Sequence, residues 1–278
     1  MTSLRNALIT GANSGIGLVT AIELARQEYG LTIVCRTEEK GHIAATHIHG
    51  QTGHRPRVLA CEFSKPKEID QVAEQVLQTD QNLHVLVNNA GAYFPLLQHD
   101  ARGLEMSLAV NHMGYFQLTS RLLPCLTHDA SARIVSVASR AHTRGAIHFD
   151  DLNYAHRRYT GMGAYASSKL MNVLFTTELA RRLQGTNITA NCLHPGVVGT
   201  GFAQDEPGLL NSLMKIGKRF LLSPEDGAKT TLHVALAPEV ENITGAYFSD
   251  CKQKRPSKRA RSAEDAASLW ACSEQWMP

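Results

Sequence analysis

The chain has few of the features that mark unusual protein classes. Its six cysteines are dispersed through 278 residues without a C-x-x-C pair, so neither a disulfide framework nor a zinc site is indicated. No stretch reaches the ~18 consecutive apolar residues of a membrane span, and residues 1–10 lack the apolar run of a signal peptide. We therefore expect a soluble, cytoplasmic protein with no integral membrane segment.

Charge of one sign and flexible linkers are also scarce. Lysine and arginine number 28 against 25 acidic residues, and the net charge of +3 is too small to indicate nucleic-acid binding. With 43% hydrophobic residues the chain can bury a sizeable core. Because no Pro/Gly/Ser-rich linker interrupts it, we predict a single domain over residues 1–278.

Short runs rich in Val and Ile alternate with longer segments of helical periodicity. This alternation is typical of βαβ units with a parallel sheet. Strands are predicted at 7–10, 31–35, 57–61, 83–87, 132–138, 188–193 and 245–248. Helices are predicted at 15–28, 38–49, 66–79, 102–126, 163–183 and 224–237, with Pro66 and Pro224 in first helical turns.

A glycine-rich turn, T-G-A-N-S-G-I-G at residues 10–17, follows the first predicted strand and opens a helix. Glycines let the backbone approach a pyrophosphate closely, and the helix N-terminus presents unpaired N–H groups to the anion. The position between strand and helix favours dinucleotide binding over a purely structural turn. The residues expected to contact the dinucleotide here are Gly11, Asn13, Ser14, Gly15, Ile16 and Gly17.

These observations predict the fold class. We expect an α/β protein of the Rossmann type, doubly wound, with a seven-stranded parallel sheet and helices on both faces.

Arg36 follows the second predicted strand, where the adenosine ribose would lie. An acidic residue there would accept the ribose hydroxyls and repel a 2′-phosphate, whereas a guanidinium suits that phosphate. We therefore predict a preference for NADP(H) over NAD(H). The alternative is that Arg36 only stacks on the adenine.

Tyr165 and Lys169 form Y-A-S-S-K on a predicted helix, where a spacing of four puts both side chains on one face. A lysine charge at about 4 Å contributes about 4 kcal/mol at an effective dielectric of 20, enough to lower the pKa of a phenol. We therefore expect Lys169 to make Tyr165 a usable general acid/base. An isolated Tyr-x-x-x-Lys is more often an ordinary helix surface.

Further motifs accompany these two. N-N-A-G stands at residues 88–91, N-H-M-G begins at Asn111, I-V-S-V-A-S ends at Ser139, and H-P-G-V-V-G-T follows at residues 194–200. With this ordered set, almost the whole chain resembles the short-chain dehydrogenase/reductase family.

The resemblance implies a role for each matching residue. Tyr165 would exchange the proton with the substrate oxygen, Lys169 would hold the nicotinamide ribose, and Ser139 would hydrogen-bond the substrate oxygen. Asn111 would support a water chain from Lys169. Alternatively, Asn111 only mends a break in its helix, and Ser136 competes with Ser139 for the serine role. The remaining cofactor contacts would be Glu62, Phe63, Asn88, Ala90, Gly91, Pro195, Gly196, Val198 and Thr200.

Three segments are similar to the retinol-dehydrogenase-like branch of that family. They are C-R-T-E-E-K from Cys35, F-D-D-L-N-Y between Ser139 and Tyr165, and Y-F-S-D-C-K from Tyr247 with a later S-L-W. Members of this branch commonly reduce retinal and other lipophilic aldehydes or ketones with NADPH. The resemblance therefore implies a small lipophilic carbonyl or alcohol as substrate, and it is compatible with a homodimer, a homotetramer or a monomer.

The substrate wall is expected to include Tyr93, Phe94 and Pro95, together with residues 202–222 and their leading Phe202. Apolar residues at helical spacing in 202–222 fit a lid over an apolar ligand. An ordinary buried helix or a dimer contact is an equal alternative.

Two local clusters are expected to be solvated surface. His42, His47, His49 and His54 do not converge as metal ligands, because H-x-H on a helix points its members about 200° apart. Six basic residues lie within 252–261, at the start of a C-terminal extension (252–278). This stretch could also contact anionic lipid or nucleic acid.

Two other functions are alternatives to an NADPH-dependent oxidoreductase. One is a noncatalytic dinucleotide-binding regulatory or scaffold protein, which would have no chemical need for the set Asn111, Ser139, Tyr165 and Lys169. The other is an epimerase or dehydratase, and nothing in the sequence points to a nucleotide-sugar site.

Overall fold

The computed structural model describes residues 5–79, 82–126, 131–196 and 222–278. Eight strands among these residues form one sheet. The strands are β1 (Asn6–Thr10), β2 (Gly30–Cys35), β3 (Arg57–Ala60), β4 (Leu83–Asn88), β5 (Ala132–Val137), β6 (Ile188–His194), β7 (Tyr247–Ser249) and β8 (Lys252–Lys254).

The sheet has the spatial order β3-β2-β1-β4-β5-β6-β7-β8. Strands β1 to β7 pair in parallel, and Ile9 of β1 lies opposite Ile33 of β2 on one side and Val87 of β4 on the other. The strand order reverses between β1 and β4. In doubly wound sheets the crevice at the carboxyl ends of such strands is where ligands bind.

Helices cover both faces of the sheet, and the sheet separates two apolar clusters. Helices α1, α2 and α6 pack on one face, whereas α3, α4 and α5 pack on the other, with α7 lying against α5. The helices are α1 (Gly15–Arg26), α2 (Glu38–Thr52), α3 (Pro66–Thr79), α4 (Gly114–Leu122), α5 (Gly161–Arg182), α6 (Pro224–Leu236) and α7 (Ala263–Gln275).

Most helices begin with a side-chain N-cap or with a proline in the first turn. Thr37, Thr160, Ser223 and Ser262 each accept a hydrogen bond from a backbone N–H of the first turn. Pro66 and Pro224 occupy first turns, as predicted, because proline lacks only an N–H that would be unpaired there.

The fold class predicted from the sequence is confirmed, with one difference in strand number. An eighth strand, β8, pairs antiparallel with β7 inside the basic stretch 252–261, where the sequence predicts solvated surface and no strand. Lys252 and Lys254 are exposed on it. A tight hairpin at Asp250 and Cys251, both at positive φ, brings this polar segment back alongside β7.

The helix predicted at 102–126 is shorter and irregular. It consists of a π-helical turn (Leu108–Met113), then α4 and a 3₁₀ turn (Leu123–Cys125). π-helical turns are frequent at functional sites, and Asn111 lies within this one.

Helix α7 was not predicted, and it docks through aromatic rings. Trp270 stacks on Phe175 with ring centroids 5.9 Å apart and meets Phe116 edge to face at 4.8 Å. In the described part of the chain, no helix combines the length and apolar character needed to cross a bilayer.

Candidate active site

The glycine-rich turn leads from β1 into α1 with almost no room for side chains. Gly11 has φ +68°, and a Cβ there would lie 2.9 Å from the Ala90 Cα. A Cβ on Gly17 would overlap the Gly11 carbonyl oxygen. The turn therefore forms a backbone surface that only glycine permits at these two positions.

The N-terminus of α1 differs from the capped helix starts described above. Its N-cap residue, Ser14, is exposed and makes no side-chain cap hydrogen bond. The first N–H groups of α1 therefore lack this partner, in the place where a dinucleotide phosphate would meet the positive end of the helix dipole.

Asn89 holds this turn against the end of β4. Its Nδ2 donates to the carbonyl oxygens of Thr10 at 2.8 Å and Gly11 at 3.2 Å. The Thr10 hydroxyl completes the junction by accepting from the Asn89 and Ala90 N–H groups, both at 2.9 Å. The two loops that flank the crevice are thus one hydrogen-bonded unit.

Lys169 is the buried cation of the site, with 3% of its surface exposed. Its Nζ donates to the Val137 carbonyl oxygen at 2.9 Å. Asn111 lies close by, because a Cβ on Gly91 would come 3.3 Å from Asn111 Oδ1 and 3.4 Å from Lys169 Nζ. Gly91 therefore marks a narrow space that opens onto both polar groups.

The Asn111 side chain bonds two different elements. Oδ1 accepts from the Ala92 N–H at 2.8 Å, whereas Nδ2 donates to the Ala92 carbonyl at 2.9 Å and to Ser168 Oγ at 3.1 Å. These bonds fix the loop after β4 to α5 and the π-helical turn. Both sequence interpretations of Asn111 fit this placement, since it supports its irregular helix and lies beside Lys169.

The hydroxyls of Tyr165 and Ser139 are hydrogen-bond neighbours. A hydrogen bond from the Ser139 hydroxyl favours the ionised phenol, but burial outweighs it and raises the pKa of Tyr165 to about 12. Ser139 ends the β5 loop and caps a 3₁₀ turn (Arg140–Arg144), with its Oγ accepting from the Ala141 N–H at 3.1 Å. The two hydroxyls lie where a substrate oxygen could meet both.

The expected effect of Lys169 on Tyr165 was wrong for this structure. Burial lowers the pKa of Lys169 to about 7, so roughly half of the charge that was to act on the phenol is lost at neutral pH. The Lys169 Nζ also lies 5.7 Å from the centroid of the Tyr165 ring. Removal from solvent therefore outweighs the mutual attraction assumed from spacing alone.

The predicted substrate wall begins beside Tyr165. The Tyr93 and Tyr165 rings meet edge to face with centroids 6.4 Å apart. The Phe94 carbonyl accepts from the Tyr159 hydroxyl at 2.8 Å, which holds the loop after β4 against the loop before α5. Tyr93 and Phe94 are thus brought to the mouth of the crevice.

Comparison with known proteins gives the chain its family. The short chain dehydrogenase family profile matches residues 5–208. Retinol dehydrogenase 12 of Mus musculus is 44% identical over 264 residues, which cover 95% of this chain and 83% of the relative. The chain belongs to the short-chain dehydrogenase family. It is an oxidoreductase that acts on CH–OH groups with NAD(P), and the predicted retinol-dehydrogenase-like branch is confirmed.

Solved structures share this short-chain dehydrogenase fold. An uncharacterised protein from Mycobacterium Paratuberculosis superposes with a TM-score of 0.80 at 34% identity, covering 98% of this chain and 92% of that one. A short-chain dehydrogenase from Escherichia coli CFT073 complexed with NADPH superposes with a TM-score of 0.68 at 25% identity, covering 88% and 95%.

Two predicted cofactor contacts of this short-chain dehydrogenase have side chains turned inward. Asn88 is fully buried and donates to Thr119 Oγ1 at 2.9 Å, so its side chain cannot line the adenosine site. Phe63 is buried against Gly114. Asn88 is the last residue of β4 and faces the core, whereas Asn89, which follows the strand, faces the glycine turn.

The other predicted contacts lie around the crevice or outside the described residues. Arg36 is exposed directly after β2, the Glu62 N–H donates to Glu68, and Gly196 has φ +91° after Pro195. Val198, Thr200 and Phe202 lie outside the described residues, as does the expected lid except for Leu222.

The alternatives for single residues can be compared with the geometry. Ser136 is buried within β5, while Ser139 is the serine that faces Tyr165. His42, His47 and His49 are exposed on α2. Over the described ranges, no group of three or more His, Cys, Asp or Glu side chains could hold a metal ion.

The close contact at Gly17 gives a prediction for this short-chain dehydrogenase. We expect Gly17→Ala to raise the Kd for NADPH at least tenfold and to lower the free energy of unfolding by about 1–3 kcal/mol, because its Cβ would displace the Gly11 carbonyl. Fluorescence titration and urea unfolding measure both effects.

Gly50→Ala is the matched control, because Gly50 lies in α2 with no atom within 4 Å of an added Cβ. It should leave the Kd unchanged and stabilise α2 by up to about 1 kcal/mol. Normal NADPH binding by Gly17→Ala would show that the turn is not the phosphate site.

Proposed function

We propose that this chain is an NADPH-dependent carbonyl reductase that converts lipophilic aldehydes or ketones to alcohols, with Tyr165 as general acid. The observation behind the proposal is the convergence of Tyr165, Ser139, Lys169 and Asn111 beside the space at Gly91. This crevice lies at the carboxyl ends of parallel strands where the strand order reverses.

The residues present fit a nicotinamide dinucleotide. A Cβ on Gly11 or Gly17 would collide with the Ala90 Cα or the Gly11 carbonyl oxygen, so the backbone of the turn carries no side chain at these two positions. Gly91 leaves a narrow space beside Asn111 Oδ1 and Lys169 Nζ. The pyrophosphate would meet the glycine turn and the N-terminus of α1, which lacks a side-chain cap. Lys169 Nζ would hold the nicotinamide ribose. When bound, the cofactor supplies the hydride that reduces the carbonyl carbon.

The protein side chains act on the substrate oxygen. As negative charge grows on this oxygen, the hydroxyls of Ser139 and Tyr165 hydrogen-bond it and stabilise the transition state. Tyr165 then transfers its phenolic proton to the oxygen. Burial raises the pKa of Tyr165 to about 12, so its phenol is protonated at neutral pH and can donate this proton.

Arg36 supports a preference for NADP(H) over NAD(H). It is exposed at the end of β2, where the ribose of a dinucleotide lies in this fold. Its guanidinium can form charged hydrogen bonds to a 2′-phosphate. The Escherichia coli structure of this fold is described as a complex with NADPH.

A lipophilic substrate is supported by the apolar side chains near the mouth of the crevice. Leu96 and Met162 are 69% and 47% exposed, and they follow Pro95 and Gly161, whose backbones are so close that a Cβ on Gly161 would lie 2.9 Å from the Pro95 Cα. Leu222, 39% exposed, packs on Gly196. The relatives at about 40% identity are named retinol dehydrogenases, enzymes of a lipophilic alcohol.

The substrate class is tested by following NADPH oxidation with a series of carbonyl compounds. We expect retinal, medium-chain and aromatic aldehydes to give kcat/KM values at least tenfold above that of glyceraldehyde, because about 0.8 kcal/mol is gained for each buried CH₂. Equal efficiency with glyceraldehyde would contradict an apolar site. NADPH binding without turnover of any aldehyde, ketone, steroid or quinone would favour a noncatalytic dinucleotide-binding protein.

A further inference from the structure

A buried histidine connects the proposed catalytic serine to the C-terminal extension. His142 lies in the 3₁₀ turn that follows Ser139 and is 2% exposed. Its Nδ1 lies 2.7 Å from the Ser139 carbonyl oxygen, and its Nε2 lies 3.2 Å from the Ser257 backbone nitrogen. The ring packs on Tyr247, with centroids 4.9 Å apart.

The partners of His142 determine its tautomer. A backbone N–H can only donate, so Nε2 accepts from Ser257 and the ring proton must be on Nδ1. Nδ1–H then donates to the Ser139 carbonyl, which also accepts from the His142 backbone N–H at 3.1 Å. Burial lowers the pKa of His142, which agrees with a neutral ring.

The C-terminal partner is itself fixed to the same turn. Arg259 Nη1 donates to the Gly145 carbonyl at 3.0 Å, and the Ala260 N–H donates to Ser257 Oγ at 3.3 Å. Residues 257–260 therefore lie against the turn that begins at Ser139. His142 is the side chain that joins this segment to the peptide of the serine.

We infer that His142 is a positioning residue for Ser139. Its Nδ1–H donates to the Ser139 carbonyl oxygen and so fixes the Ser139 peptide and, with it, the Ser139 hydroxyl. The Ser257 N–H keeps the His142 ring in the tautomer that makes this bond. The inference rests on the proposed role of Ser139. Without the bond the Ser139 peptide has one fewer restraint, and the hydroxyl spends less time aimed at the substrate oxygen beside Tyr165. Small displacements of this kind reduce turnover more than binding.

The kinetic test uses three variants on one turn. His142→Phe keeps a ring against Tyr247 but has no N–H, and we expect kcat to fall about tenfold while the Kd for NADPH changes less than twofold. His142→Asn places an amide N–H near the position of Nδ1 and should recover at least threefold of that loss. Thr143→Ala removes a hydrogen bond of similar length on the exposed side of the turn, from the Thr143 hydroxyl to the Arg140 carbonyl oxygen, and should leave kcat unchanged.

A readout without turnover separates this inference from the proposed function. In ¹⁵N-labelled protein, the His142 resonances, assigned by their loss in His142→Phe, should show a protonated Nδ1 and an unprotonated Nε2. A proton on Nε2, or unchanged kcat in His142→Phe, would overturn the positioning role. An inactive wild type with the expected tautomer would instead refute the carbonyl reductase proposal and, with it, the catalytic purpose of this bond.

Should His142→Phe fail to fold, Ser257→Pro tests the same chain of bonds. It removes the N–H that donates to Nε2 and leaves the histidine in place. Ser257→Ala, which keeps this N–H and loses only the Oγ that accepts from the Ala260 N–H, is its control and should keep wild-type kcat. We expect a fall in kcat of about threefold to tenfold and a Nε2-protonated fraction that wild type lacks. A wild-type kcat with an unchanged tautomer would contradict the role given to Ser257.

Discussion

Replacing Tyr165 by phenylalanine should lower kcat by about a hundredfold to ten-thousandfold, because general acid catalysis contributes that much. The variant removes one hydroxyl and leaves the ring that meets Tyr93 edge to face. The Kd for NADPH should change less than threefold, since the proton donor acts on the substrate oxygen. Steady-state kinetics with a lipophilic aldehyde and fluorescence titration with NADPH measure the two quantities.

Tyr29→Phe is the control for this experiment. Tyr29 lies just before β2 at the amino-terminal edge of the sheet, with Arg5 over its ring at 4.6 Å. It should retain wild-type kcat. If Tyr165→Phe lost NADPH binding together with turnover, Tyr165 would be structural, and a general acid would have to be sought elsewhere.

Replacing Arg36 by aspartate should weaken NADPH binding by about tenfold to more than a hundredfold. A hydrogen bond that involves a charged group contributes about 1.5 to 3 kcal/mol, and the aspartate would in addition repel the 2′-phosphate. The same carboxylate can accept the ribose hydroxyls of NADH, so the Kd for NADH should be unchanged or improved. The ratio of kcat/KM for the two cofactors reports the switch.

Arg55→Asp provides the same change of charge at an exposed position before β3. Its cofactor ratio should remain that of wild type, which separates a local contact from the effect of net charge. An unchanged preference for NADPH in Arg36→Asp would mean that Arg36 does not contact the phosphate and that stacking on adenine is its role.

The sequence predicted most of the sheet and the positions of the main motifs, because each motif follows a strand with a strong apolar pattern. The glycine turn after β1, the N-N-A-G segment after β4 and Ser139 after β5 all meet at one edge of a parallel sheet. Their proximity follows from topology alone, since the carboxyl ends of parallel strands share that edge.

Features that depend on tertiary packing could not be predicted. Strand β8 is made of Lys-Gln-Lys, which has no apolar alternation, and it forms because a hairpin pairs it with β7. Helix α7 has only two large apolar residues, Leu269 and Trp270, and its position depends on Trp270 meeting Phe116 and Phe175. The pKa values of Tyr165 and Lys169 depend on burial, which spacing along a helix does not report.

The different contacts of two neighbouring residues at a strand end could also be recognised only from the structure. Asn88 and Asn89 are identical in type, and only the position where β4 ends decides that Asn89 contacts the glycine turn. The role of His142 was similarly hidden, because its partner Ser257 is more than a hundred residues away.

The transfer of deuterium from labelled cofactor tests the central claim most directly. NADPH carrying deuterium at both C4 positions is incubated with a lipophilic aldehyde and either wild type or Tyr165→Phe, and the alcohol is analysed by mass spectrometry. Wild type should give alcohol with one deuterium on the carbinol carbon, and Tyr165→Phe should give almost none. Alcohol without the label, or equal labelled product from both proteins, would contradict hydride transfer assisted by Tyr165.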